Sequence, residues 1–152
     1  MNAFHEMSPE LDRALCASWP AIFVDRHGDP AHTAMIHGFT CGDGWYPLID
    51  ALCATLQREA DQGGTQQPVA MQVKEKFGRL RVHLRTANER QRAMIEFAGD
   101  FSERICLLCG TMSSPDSALN HCELATDAAA AAASDRDPLY AETRQKSAWA
   151  EP

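Results

Sequence analysis

The chain has 152 residues, 45% of them hydrophobic, and a formal net charge of −7. That length suits one domain with a real core and no disulfide staples, the acidic balance disfavours indiscriminate binding to nucleic acid, and no run of about 18 apolar residues offers a membrane span. The opening MNAFHEMSPELDR carries neither the basic nor the apolar stretch of a secretory signal, which predicts a cytoplasmic protein.

Ser8-Pro9-Glu10 is a helix-start signal, with a hydroxyl residue at the cap, proline at the first helical position and an acid in the first turn. A short helix is expected to about Ser18, ended by Trp19-Pro20. Ala21 to Val24 and Met35 to Phe39 read as two short strands around a His-Gly-Asp-Pro turn. Cys41-Gly42-Asp43-Gly44-Trp45 then makes a tight connection, with Asp43 the expected cap of a helix over about 45–60. Trp45, Leu48, Ile49, Leu52 and Leu56 form its apolar stripe, and Asp61-Gln62-Gly63-Gly64 terminates it.

Over 68–85 the pattern changes to a period of two. Val69, Met71 and Val73 alternate with polar or small residues, as do Leu80, Val82 and Leu84, and Glu75-Lys76-Phe77-Gly78 separates the two runs. This predicts a hairpin with one apolar and one basic face. Asn88 can cap a third helix to about Ile105, with Met94, Phe97, Ala98, Phe101 and Ile105 as its buried stripe. Residues 128–133 are six consecutive alanines. The chain is therefore expected to be a single α+β domain over 1–124, followed by an alanine-rich and polar tail over 125–152. Its small antiparallel sheet, built on the hairpin, should pack against the two main helices, with a C-terminal CxxC zinc-knuckle-like turn.

Six cysteines stand at 16, 41, 53, 106, 109 and 122. Without a secretory signal they read as thiols or metal ligands, and Cys16 and Cys53 as small buried hydrophobes. Cys106-Leu107-Leu108-Cys109-Gly110 is the strongest metal motif, because a two-residue spacing lets both sulfurs face one ion. Cys106, Cys109, His121 and Cys122 form a candidate zinc set. His121 and Cys122 are adjacent, so one of them with a distant Cys41 or His37 is an alternative, as is a knuckle without metal or a redox pair.

The second feature is charge. Residues 68–92 hold seven of the 14 basic residues against two acidic ones. Lys74, Lys76, Arg79, Arg81 and Arg85 form a candidate surface for an anionic partner, the competing reading being a solvated or internally paired face. Alternation turns Arg79, Arg81 and Arg85 away from the core. Aromatic residues are missing from that strand face, which weakens a single-strand-binding reading. No recognisable nucleophile arrangement or phosphate loop is present, so an enzyme around Asp43 and the histidines is the least supported class. His27, His32 and His37, five apart, share no face of a helix or strand.

Taken together, Trp19-Pro20-Ala21-Ile22-Phe23, the block Gly38 to Trp45, Gln72-Val73-Lys74-Glu75-Lys76-Phe77-Gly78-Arg79-Leu80-Arg81 and the CxxCG turn resemble a group of small uncharacterised phage and prophage proteins. The likeness covers about residues 19–110. It implies a phage or mobile-element accessory protein in the host cytoplasm and supplies no activity. The expected function is non-enzymatic binding of a host or phage macromolecule, as in antagonism of a host defence system. The alternative is a nucleic-acid-binding accessory factor using the basic hairpin. Neither a membrane nor a small-molecule substrate is expected as partner.

Overall fold

The computed structural model describes residues 6–63 and 65–112. Helix α1 spans Pro9–Ser18, α2 Tyr46–Gly63 and α3 Glu89–Ser102; strand β1 is Phe39–Thr40, β2 Ala70–Lys76 and β3 Arg79–Leu84. Three short 3₁₀ turns, Val24–His27, Met35–His37 and Asp43–Trp45, fill the connections. The α+β class is as expected; the sheet is not purely antiparallel.

Its order is β1-β2-β3, with β1 parallel to β2 and β2 antiparallel to β3. The reason is connectivity. A two-residue turn joins β2 to β3, whereas β1 reaches β2 only after α2, and a helical crossover is what parallel strands require.

Neither early strand forms as expected. Ile22 and Phe23 are both buried, at 1% and 4% exposure. Adjacent residues of a strand point to opposite faces, so a turn is what lets both face inward. Phe23 meets Phe39 edge-on, with ring centroids 4.9 Å apart. Met35 to His37 is a 3₁₀ turn, and Gly38, at φ 71°, redirects the chain into the short β1.

The hairpin's alternation breaks once. A bulge between Ala70 and Gln72 shifts the register, so the buried residues of β2 are Ala70 and Val73, while Met71 is only partly covered. The Met71 carbonyl instead accepts hydrogen bonds from the Ala34 amide (2.9 Å) and the Thr33 hydroxyl (3.3 Å).

Helix α3 starts as expected. The Asn88 side chain accepts from the Gln91 amide, and the Gln91 side chain accepts from the Asn88 amide. Its buried face differs from the expected stripe: Gln91, Ala98, Gly99 and Ser102 point inward, Phe97 is 71% exposed and Phe101 39%. Small residues permit a close approach to β3. The Ser102 hydroxyl accepts from the Leu80 amide at 2.8 Å, covering the free edge of the sheet there. A Cβ at Gly99 would lie 3.0 Å from guanidinium nitrogens of Arg79. Rotation to this small face carries the aromatic stripe outward.

Candidate partner-binding surfaces

The two motif blocks that frame the chain lock together. Gly44 donates its amide to the Leu107 carbonyl at 2.9 Å, and the indole of the fully buried Trp45 donates to the Ile105 carbonyl at 3.0 Å, 60 residues away. A Cβ at Gly42 would stand 2.2 Å from the Leu107 carbonyl oxygen; one at Gly44 would stand 2.1 Å from that of Cys106. Gly110, at φ 76°, closes the turn by donating to the Cys106 carbonyl at 2.9 Å. Backbone contact therefore accounts for the small residues at 42, 44 and 110.

Asp43 does not cap α2. It opens the 3₁₀ turn that precedes the helix, and its carboxylate accepts from the Ser8 amide at 2.6 Å, tying the start of α1 to that turn. The expected cap of α2 is thus corrected to a bond that holds the start of α1.

Of the candidate zinc ligands, Cys106 is buried and Cys109 exposed, with its sulfur 3.1 Å from the Thr111 hydroxyl. His121 and Cys122 lie outside the described residues. Among the described residues no three His, Cys, Asp or Glu side chains gather where they could hold a metal ion. Cys41 is fully buried; desolvation, reinforced by Asp43 and Glu75, pushes its thiol up to about 12. His37 belongs to a separate cavity.

That cavity, about 430 Å³, gathers Glu6, Asp12, Arg13, Cys16, Arg26, His27 and His37. The turns thus bring together two histidines that share no helix or strand face. Its central charges are already paired. The Arg26 Nη2 atom lies 2.9 Å from Asp12 and Nε 3.0 Å, while Nη1 donates to the carbonyls of Met35 and Ile36 at 3.3 and 3.1 Å. Burial first, then the Asp12 charge, raises the Cys16 thiol to about 11, so it is protonated at neutral pH and a poor nucleophile.

The basic hairpin divides in two. Arg79 does not face an outside partner: its guanidinium pairs with Glu96 at 2.8 Å, Glu103 at 3.2 Å and Asp100, and only 14% of its side chain is exposed. Arg85 pairs with Asp25. The free outward placement read from alternation is thus corrected for Arg79, which the carboxylates of α3 draw in, whereas Arg85 does face outward, its side chain 55% exposed, and is paired there by the Val24–His27 turn. Lys74, Lys76 and Arg81 have no ion pair among the described residues. Lys74 lies directly opposite Arg81 in the ladder. At the tip, Phe77 has φ 55° and is 89% exposed, and the Lys76 ammonium sits 5.4 Å from its ring centroid.

A second surface lies between α2 and α3. Leu48, Ala51, Leu52 and Thr55 face Arg90, Ala93, Met94, Phe97 and Ala98 across an apolar groove of about 510 Å³. Phe97 and Phe101 stack at 6.2 Å on α3, their planes 6° apart. Helical spacing alone reads this stripe as core. The available signal was the small-residue set Ala98, Gly99 and Ser102 on the neighbouring face.

Compared with family models, with curated proteins and with solved structures, the chain matches none. No helix among the described residues is long and apolar enough to cross a membrane.

Proposed function

We propose that this chain is a non-enzymatic accessory protein that binds a host or phage protein through the groove between α2 and α3. The carrying observation is the exposed Phe97–Phe101 stack beside an apolar groove. Exposed phenylalanines gain nothing from water, and a contiguous apolar patch on a folded domain is a usual mark of a contact surface. The polar cavity supports the same reading, since Asp12 and Arg26 are engaged with each other and the Cys16 thiol is protonated. The phage or mobile-element setting and action in the host cytoplasm rest on the sequence resemblance, and a host-defence component as target on that setting together with the small size and acidic charge of the chain. The nucleic-acid reading, as a use of the whole basic hairpin, loses Arg79 and Arg85 to pairing within the chain.

The test compares capture by wild type and by the Phe97→Asp/Phe101→Asp variant from lysate of host cells carrying the phage or mobile element, with folding checked by circular dichroism. A defined protein complex held by wild type and lost by the variant is expected. Equal capture by both, or no protein retained by wild type, sinks the reading.

A further inference from the structure

The hairpin tip contains two local choices that the fold does not favour. Phe77 occupies the left-handed region, at φ 55°, in a two-residue turn completed by Gly78 at φ 74°. Turns with both central residues at positive φ favour Asn-Gly or Asp-Gly, because a larger side chain crowds the backbone there. The ring recovers little by packing, being 89% exposed. Two rungs beyond the Lys76–Arg79 pair that closes the turn, Lys74 faces Arg81, a like-charge cross-strand pair that works against the hairpin. Both features make sense if a ligand that is planar and anionic sits there.

We infer that the tip of the β2–β3 hairpin is a contact site for single-stranded nucleic acid. A base stacks on the Phe77 ring, and Lys76, Lys74 and Arg81 meet the adjoining phosphates. Stacking platforms for single strands combine bare aromatic faces with cations in this way, and they tolerate sequence because every base has a π-face. A protein partner is favoured less: anchors in protein interfaces sit inside a packed apolar surround, whereas Phe77 is 89% exposed with the Lys76 ammonium near its ring and Glu75, Gly78 and Arg79 as further neighbours along the chain. The site involves none of the residues of the α2–α3 groove, so either reading can fail without the other.

The experiment measures fluorescence anisotropy of labelled oligothymidylate and oligouridylate, each about 16 nucleotides long, titrated with the full chain at low salt. Binding is expected to weaken with salt at a log–log slope of about −2, from three phosphate contacts at about −0.7 each. Phe77→Asn should weaken binding by about tenfold or more while leaving the melting temperature equal or higher, a combination a merely structural role would not produce. The Phe97→Asp/Phe101→Asp variant should bind the strand as wild type does. The inference is overturned if neither oligonucleotide binds at about 100 μM protein, or if Phe77→Asn binds as tightly as wild type. It is also overturned if polyglutamate displaces the strand as well as unlabelled oligonucleotide does, since recognition would then be of charge alone, as an acidic protein could supply.

Discussion

The CGDGW–CxxCG joint and the β2–β3 hairpin tip are both built from residues that strain or crowd the chain, and they use them in opposite ways. At the joint each unusual residue is answered inside the molecule: Gly42 and Gly44 admit the backbone of the CxxCG turn, Trp45 hydrogen-bonds Ile105, and Asp43 holds Ser8. At the tip, the Glu75 carboxylate accepts from the Gly78 amide at 2.7 Å and the Lys76 ammonium lies near the Phe77 ring, yet Phe77 at positive φ stays 89% exposed and Lys74 still faces Arg81. Unusual residues satisfied internally mark architecture. Unusual residues left facing solvent mark a surface selected for something outside the chain.

The sharpest way to break that contrast is Gly44→Ala. Its new methyl would collide with backbone atoms, which cannot rotate aside, at 2.1 Å from the Cys106 carbonyl and 2.5 Å from the Gly110 amide. A loss of about 4 kcal/mol is expected from chemical denaturation; a loss under about 1 kcal/mol would show that the joint is loose.

Alkaline pH should come next. The Cys41 thiol has an ordinary value near 9 and is held up to about 12 in the folded protein, while the Cys53 thiol is raised mainly by burial. Between the unfolded and folded values the unfolded chain has lost the proton that the native state keeps. Stability is therefore full below about pH 9 and falls as pH rises above it, by roughly 2 kcal/mol per thiol at 1.5 units beyond the unfolded value. Denaturation midpoints from pH 7.5 to 10.5 should show this fall, and Cys41→Ala should flatten part of it. An unchanged slope in that variant would place the effect elsewhere.

Asp43→Ala is expected to cost about 1 kcal/mol, the worth of a charge-assisted bond to a helix-start amide. The loss should appear with little change at the α2 end, measurable by amide exchange at Ser8 against Tyr46. Against these losses, the equal or raised melting temperature expected of Phe77→Asn has the opposite sign. A clear fall would remove the tip from the contrast altogether.

Local signals were legible wherever one segment decides its own structure. Ser8-Pro9-Glu10 starts α1, Asn88 with Gln91 starts α3, the stripe from Trp45 to Leu56 is buried apart from the partly covered Leu48, and the two runs around Phe77-Gly78 pair as a hairpin. What needed a second segment was not. Met71 bulges because Thr33 and Ala34 bind its carbonyl, so the period of two fails at one residue. Ile22 and Phe23 look like a strand until both are required in the same core.

The α+β class, the Asn88 cap of α3 and the long apolar stripe of α2 follow from neighbouring residues alone, because propensity, capping and periodicity act over a few positions. The tertiary structure decided which way α3 rolls and which charges are free. Helical spacing supplies two adjacent candidate faces, and packing on β3 selected the small one, sending Phe97 and Phe101 to the surface and Glu96, Asp100 and Glu103 onto Arg79. A cation's availability depends on carboxylates many residues away, and that distance in space is a property of the folded chain alone.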